Sequence, residues 1–139
     1  MTGRERGAMM VRALCIDAVW NFRRHQNVGF LFMIIPALQR RWKDHDQLAA
    51  ALKRHTRYIS THPAMITALG GWVVRHEERL RDEPDVSTQE GHRLKGLMMG
   101  PLAALGDALF WSALKPVLLL GGVACVVMSN DLLWKSLAG

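Results

Sequence analysis

Residues 96–130 read GLMMGPLAALGDALFWSALKPVLLLGGVACVVMSN, and this stretch decides the fold class. Its only charged side chains are Asp107 and Lys115. A continuous helix of this length would exceed one bilayer core, at a rise of about 1.5 Å per residue. Gly100-Pro101 and Lys115-Pro116 predict breaks, because proline disrupts a helix interior. We therefore expect an all-α membrane protein whose apolar part forms broken or re-entrant membrane helices, buried in protein or lining a cavity.

Charge divides the chain into a basic front and an apolar back. Residues 1–95 hold 16 Lys/Arg and 10 Asp/Glu, whereas residues 96–139 hold two of each. The length fits one ordinary domain, so we expect a single domain over residues 1–139. Its front should form amphipathic cytoplasmic or interfacial helices, and its back a membrane-embedded segment. A basic front fits nucleic acid or the anionic cytoplasmic leaflet, and the apolar back favours the leaflet.

The first third of the chain gives weak helical patterns. Residues 1–12 are basic and unpatterned, which predicts a mobile arm. No secretory signal is visible, which predicts a cytoplasmic start. Residues 27–38 carry no charge but are too short for a span, and Pro36 should kink or end any helix there.

Two later segments have clearer signals. Residues 46–60 predict an amphipathic helix, whose apolar stripe comprises Leu48, Leu52, His55 and Ile59. Ser87 and Glu90 have the spacing of a capping box. A helix should therefore cover about residues 88–99.

The sequence gives no support for catalysis or metal binding. None of its six histidines belongs to an H-E-x-x-H motif, which would place two imidazoles on one helix face. No thiolate cluster, nucleophile elbow or phosphate loop is present. Cys15 and Cys125 lie far apart in apolar surroundings, so we expect two buried thiols and no disulfide. We predict a protein without catalytic residues, metal ligands or cofactors.

Asp107 is the strongest single candidate for a functional residue. An acidic side chain alone in an apolar membrane segment is a functional-site hypothesis by default. Alternatively, Asp107 caps a buried half-helix after Gly106 and accepts backbone N–H bonds. The two interpretations are compatible, and both stay open at this point.

Basic and aromatic residues occur together in the front. Arg23-Arg24 and Arg40-Arg41 have Trp20 and Trp42 nearby, a combination that could contact nucleic acid through charge and stacking. The same composition is typical of a membrane interface, where Trp lies at headgroup level and Arg stays cytoplasmic. The apolar back favours the interface, with membrane lipid and not nucleic acid as the partner.

Three ordered blocks resemble the IID subunits of mannose/fructose/sorbose-family phosphotransferase permeases. Asn21–Phe30, followed by Pro36-Ala37-Leu38, is similar to the N-terminal signature N-[YF]-x-R-x-Q-x-x-G. Leu52–His55 with Ser60–Pro63 resembles the L-x-R-H and N-T-H-P block. Met99–Trp111 resembles M-G-P-L-A-G-I-G-D-S-L-F-W.

The sequence also departs from the family pattern. Arg23 stands where the family usually has Glu, Ala64 replaces an aromatic residue, Ala104 a glycine, and Lys115 an arginine. Family members usually continue well beyond the position of Gly139. We therefore expect a shortened IID-like domain.

The resemblance implies a mechanism divided among subunits. Phosphate passes through the IIA and IIB partners, while IIC and IID together bind a hexose such as mannose, fructose or sorbose in the bacterial cytoplasmic membrane. IID itself carries no phosphohistidine. Amides and carboxylates suit sugar hydroxyls, because between them they donate and accept hydrogen bonds. The expected substrate-binding residues are Asn21, Gln26, Asn27, His62 and Asp107.

Three functional hypotheses follow. The first is a transport subunit that acts with IIC, supported by the ordered blocks and the apolar segment. The second is a truncated, non-transporting scaffold or regulatory relative at the membrane surface. The third is a soluble helical nucleic-acid binder, which is supported only by the positive charge. Extraction by salt separates the third from the others, because salt screens surface charge but not apolar insertion.

Overall fold

The computed structural model describes residues 1–83 and 85–137, with side chains up to residue 130. Helices dominate, and no strand occurs in the described ranges, so the predicted all-α class is confirmed. The α-helices are α1 (Gly3–Ala13), α2 (Asn27–Arg41), α3 (His45–Arg54), α4 (Ile66–Asp82), α5 (Thr88–Gly106) and α6 (Lys115–Leu137). A 3-10 turn (Pro63–Met65) precedes α4, and a π-helical segment (Asp107–Leu114) joins α5 to α6. Two compact units result: an N-terminal unit, Met1–Ala104, and an apolar unit beginning at Leu105.

The expected mobile arm at residues 1–12 is instead helix α1. Thr2 caps the helix and Glu5 closes the reciprocal capping box, with Glu5 N–H donating to Thr2 Oγ1 at 3.3 Å and Thr2 N–H to Glu5 Oε2 at 2.7 Å. Glu5 and Met9 are buried. The prediction was wrong because the Thr2–Glu5 capping box and the salt bridge between Glu5 and Arg41 stabilise α1 despite its weak apolar pattern.

Helix α2 forms the centre of the N-terminal unit. Its fully buried residues Phe30, Met33, Ile34 and Leu38 face the hydrophobic core. Pro36 lies inside this helix, so it does not end the helix as one of the two expectations required. Proline removes the N–H that would bond to Phe32 O, and the Arg12 guanidinium donates to that carbonyl at 3.0 Å. This tertiary hydrogen bond replaces the missing helical one.

Helix α3 is shorter than predicted. It begins after the Asp44 cap, whose side chain accepts from Gln47 N–H at 2.9 Å, and ends at Arg54 and not near residue 60. His55 ends it because the buried imidazole is anchored on another helix, as described below. Ile59 is fully buried but lies in the following loop.

Helix α4 completes the core with Ile66, Leu69, Val73 and Val74, all nearly or fully buried. Ile66, Leu69 and Val73 follow one another at spacings of three and four residues, and Val74 lies beside them, which gives one apolar face. Gly70 permits close packing against α2, because a Cβ there would lie 2.4 Å from Met33 Cε.

Both prolines of the apolar stretch lie inside helical segments. Pro101 lies inside α5, so the expected interruption at Gly100-Pro101 is wrong. At Lys115-Pro116 the helix changes type and does not end: Lys115 N–H donates to Phe110 O, five residues back, in the π-helical pattern. Proline in an α-helix clashes with the carbonyl four residues earlier. The wider turn before Pro116 relieves that clash and keeps the segment helical.

The two cysteines are free, but neither is buried. Cys15 and Cys125 are both exposed, so the expected burial is wrong. Cys125 belongs to a helix whose apolar side chains find no cover in the part of the chain that the structure describes.

Candidate functional site

Three of the predicted site residues lie together where the loop after α1 enters α2, with Asn27 as the first residue of α2. Asn21 Nδ2 donates to Asn27 Oδ1 at 2.9 Å, and Asn27 Nδ2 donates to Thr56 O at 3.0 Å. Gln26 and Asn27 are buried, whereas Asn21 is half-buried. We call Asn21, Gln26 and Asn27 the amide cluster.

Gln26 joins this loop to the segment that follows α3. Its Nε2 donates to Asp17 Oδ1 at 2.8 Å, and its Oε1 accepts from Thr61 N–H at 3.0 Å. Its backbone N–H donates to Ile59 O at 2.9 Å. Gln26 therefore fixes the position of Thr61 and of the adjacent His62. The His62 Nδ1 accepts from Ala64 N–H at 3.2 Å and caps the 3-10 turn.

His25 has a left-handed backbone, with φ of 52°. Its N–H donates to Asn21 O at 2.8 Å, which closes a tight turn. Its Nδ1 lies 3.1 Å from Ser60 Oγ and 3.4 Å from the Tyr58 hydroxyl. A non-glycine residue at positive φ is uncommon and is often found at functional sites.

An aromatic cluster surrounds His25. The Trp20 ring lies 5.0 Å from Phe22 and 5.1 Å from His25, and the Tyr58 ring lies 4.8 Å from His25. Phe22 is 91% exposed. Aromatic rings beside amides form an amphipathic surface that suits either sugar or a membrane interface.

Glu77 of α4 is a buried carboxylate that holds three segments of the N-terminal unit. Its oxygens accept from Trp42 Nε1 at 2.8 Å, His55 Nε2 at 2.9 Å and Arg54 Nη2 at 2.7 Å. Burial alone raises the pKa of Glu77, but hydrogen bonds from His55 and Arg54 outweigh it and lower the pKa to about 2. Burial lowers the pKa of His55. The charged guanidinium of Arg54 thus keeps Glu77 ionised.

A second buried ion pair fixes α1, α2 and α4. Arg41 Nη1 donates to Glu5 Oε1 at 3.1 Å and to Ala37 O at 2.7 Å, and Arg41 also pairs with Glu78. Burial opposes ionisation of Glu78, but hydrogen bonds from Arg41 and Arg75 lower its pKa to about 2. These charges stabilise the scaffold that carries the amide cluster.

Asp107 belongs to the apolar unit and is described by itself. It begins the π-helical segment, and its side chain is exposed. The preceding Gly106 is itself helical, so Asp107 lies within a run of helical residues and not at the helix N-terminus that the capping alternative requires. Ser112 Oγ donates to Asp107 O at 3.4 Å. π-Helical segments occur frequently at functional sites.

Two residues that organise the N-terminal unit, His25 and Glu77, were not predicted from the sequence. The left-handed backbone of His25 has no sequence signal as strong as glycine. Glu77 was not singled out in the sequence analysis, although it lies four residues after Val73 and three after Val74, on the buried face of α4. That spacing could have identified it. Among the described residues, no group of three or more His, Cys, Asp or Glu side chains could hold a metal ion.

Sequence comparisons with known proteins show which family the chain is similar to. A sequence model of the "PTS system mannose/fructose/sorbose family IID component" matches residues 1–131. The chain is 30% identical over 126 residues to the mannose-specific EIID component of Escherichia coli (strain K12), covering 90% of this chain and 44% of that protein. It is 28% identical over 130 residues to the fructose permease IID component of Bacillus subtilis (strain 168), covering 94% and 47%.

The fold also matches a solved structure. A chain in the cryo-electron microscopy structure of the mannose transporter ManYZ with microcin E492 superposes with a TM-score of 0.83 at 28% identity. The match covers 93% of this chain and 47% of that chain. The chain thus spans under half the length of the curated relatives it matches. It belongs to the mannose/fructose/sorbose family of phosphotransferase system IID components.

Proposed function

We propose that this chain is a membrane subunit that acts with a IIC partner to bind and translocate a mannose-type sugar, which IIB then phosphorylates. The observation that carries the proposal is the uncovered apolar helix. The helical run Thr88–Asn130 has 43 residues, an 18-residue window of mean hydropathy 1.8 and no burial of that window. Monomeric soluble proteins rarely expose contiguous apolar surface of this extent.

The length of that helix defines what must cover it. Within the apolar unit it comprises the 26 residues 105–130, so at a rise of about 1.5 Å per residue it extends roughly 39 Å and exceeds the hydrocarbon thickness of one bilayer. Lipid can cover part of the run, and a partner subunit can cover Asp107 and the π-helical segment, where lipid contact is costly. The similar chain in the mannose transporter ManYZ supports a partner within a bacterial cytoplasmic membrane.

The five candidate residues divide into two proposed roles. The Gln26 and Asn27 side chains are buried and hydrogen-bonded, so they position the loop. Asn21 is more exposed and is proposed to bind sugar hydroxyls from the N-terminal unit. Asp107 is proposed, separately, to bind sugar from the apolar unit. His62 is proposed to shape the site from the segment that Gln26 holds. Phosphoryl transfer is assigned to the IIA and IIB partners.

The first test is co-purification with the IIC protein of the same genome from detergent-solubilised membranes. We expect a stable pair whose melting temperature rises with a mannose-type sugar. Asp107→Asn should abolish this rise while the pair still forms. Asp46→Asn is the matched control, because Asp46 is fully exposed on α3.

Two results would contradict the transport proposal. One is membrane association without IIC binding, and the other is a complex that responds to no sugar. Either result would favour the alternative function, a membrane-associated scaffold or regulatory relative that does not transport. Loss of the sugar response in Asp46→Asn as well would mean that the assay reports charge and not the site.

A further inference from the structure

The N-terminal unit has an open groove of about 730 Å³ on the side of α3, which we call the basic groove. Five basic side chains line it, and no acidic side chain does: Arg23, Arg24, Lys53, Arg54 and Arg57. Three hydroxyl-bearing residues and a histidine complete the lining: Thr56, Tyr58, Thr88 and His92. Nothing in the transport proposal uses this surface.

Most of the positive charge in the basic groove is uncompensated. Arg23, Lys53 and Arg57 are exposed and make no ion pair within the part of the chain that the structure describes. Arg24 is held in place by donating to Thr56 O at 3.2 Å. Arg54 is neutralised by Glu77. The groove therefore concentrates positive charge, which attracts anions to it.

A buried cation adjoins the basic groove. Lys95 is only 4% exposed, and its Nζ has no hydrogen-bond partner. It lines a small void of about 10 Å³ that shares Arg54, Thr88 and His92 with the groove. Burying an unpaired ammonium group is costly. Glu77 lines the same void but is already bound by Arg54 and His55, so Lys95 places an ammonium group without a hydrogen bond next to the basic groove.

The chemistry of the lining favours a phosphate group. Planar guanidinium groups bind phosphate oxygens in a bidentate manner, and hydroxyls add neutral donors. Thr88 begins the 19-residue α5, so the positive end of the helix dipole adds to the field. Tyr58 is the one aromatic side chain in the lining, which does not make a stacking track for a nucleic-acid strand.

We propose that the basic groove binds a phosphate group, carried either by a water-soluble phosphate ester or by an anionic lipid headgroup. The proposal depends on the N-terminal unit alone and is independent of sugar transport. Its failure and that of the transport proposal are therefore distinguishable.

The test uses the full chain in nanodiscs of neutral phosphatidylcholine, titrated with pyrophosphate and with a hexose 6-phosphate by calorimetry. We expect Lys53→Gln/Arg57→Gln to weaken binding by at least tenfold. Neither residue supports the fold, whereas Arg54 does and is left intact. Arg4→Gln/Arg6→Gln is the control, because it removes the same charge from exposed positions on α1.

A second arm identifies the source of the phosphate. If no soluble phosphate binds, the wild type and both variants are compared in nanodiscs containing phosphatidylglycerol. A thermal stabilisation by this lipid that the groove variant alone loses would assign the site to a lipid headgroup. Equal losses in the groove and control variants would overturn the proposal, as would no response to any of the three probes.

Lys95→Met distinguishes binding from a structural role. Removing an unpartnered buried charge should raise the melting temperature in the absence of ligand. The same variant should bind the active phosphate probe several-fold more weakly. A variant that is less stable and binds equally well would overturn the role of Lys95 in the site.

Discussion

The N-terminal unit and the apolar unit differ in how far their apolar side chains are buried. In the N-terminal unit, Phe30, Ile34 and Leu69 are fully buried against residues of the same chain. In the apolar unit, Leu120 and Val123 are 71% and 62% exposed. The first unit therefore contains the partners that stabilise it, whereas the second depends on its surroundings.

Polar groups show the same contrast. The N-terminal unit buries Glu5, Arg41, His55 and Glu77 and pairs them across different helices. The apolar unit carries Asp107 and Lys115 with exposed side chains, and Lys115 Nζ lies 4.3 Å from the centre of the Trp111 ring. A mutation should therefore affect the stability of the isolated chain only if it lies in the first unit.

The largest effect should follow from removing the charge of Glu77. Glu77→Gln leaves the buried His55 and Arg54 without their anionic partner, a change that typically costs about 3–5 kcal/mol. Chemical denaturation of the detergent-solubilised chain, followed by near-UV circular dichroism, measures this loss. Glu83→Gln is the control, because Glu83 is 51% exposed and ends the same helix. Similar stability of both variants would contradict the structural role of Glu77.

Acid should weaken the N-terminal unit through the same carboxylates. The pKa values of Glu77 and Glu78 are lowered from 4.5 to about 2, so the unfolded chain binds protons first as the pH falls. The free energy of unfolding should therefore decrease between about pH 5 and pH 2, on the order of 3 kcal/mol for each fully lowered group. Burial lowers the pKa of His55, which adds a shallower decrease from about pH 7.

The Glu77→Gln variant separates the contribution of Glu77 from general acid unfolding. As the pH is lowered, its free energy of unfolding should decrease less steeply than that of the wild type, because the variant lacks one carboxyl group whose pKa is lowered in the folded state. Denaturation midpoints measured at intervals from pH 7 to pH 3 give the two slopes. Parallel curves would show that Glu77 titrates normally in the folded chain.

Sequence patterns predicted the helical class, the apolar segment and the start of α5 because these depend on local composition. They failed at Pro36 and Pro101, where proline alone predicts a break. At Pro36, Arg12 supplies the missing hydrogen bond from another helix. Such a contact links residues distant in sequence and leaves no local pattern.

The candidate site was predictable to a similar degree. The family signature located Asn21, Gln26 and Asn27, and the structure brings these three together. Their hydrogen bonds to Thr56 and Asp17 cross between segments and were not visible in the spacing. The left-handed His25 depends on the fold of the turn, which the residue type does not specify.

Substituting alanine for a helical glycine should have a smaller effect on stability, and its sign should depend on the space around the glycine. A Cβ on Gly29 would lie 2.2 Å from the Ile16 carbonyl oxygen, so the backbone must shift. Gly29→Ala should therefore destabilise the N-terminal unit by about 1–3 kcal/mol. At Gly71 a Cβ meets nothing within 4 Å, so Gly71→Ala should stabilise α4 by about 0.5–1 kcal/mol. Opposite signs in thermal unfolding are expected, and equal signs would contradict the close approach at Gly29.

The smallest effect is expected at Val123, and it tests the comparison most directly when the same substitution is made at a buried valine of the N-terminal unit. Val73 is 1% exposed and Val123 is 62% exposed. Val73→Ala should cost roughly 2 kcal/mol, from two lost methyl groups and the cavity left behind. Val123→Ala should change the unfolding free energy of the detergent-solubilised chain by under about 0.5 kcal/mol. At this exposed position, detergent contacts a valine or an alanine in both the folded and the unfolded chain. If Val123→Ala instead costs as much as Val73→Ala, the apolar helix must be packed against protein in detergent, and its cover would be another copy of the chain.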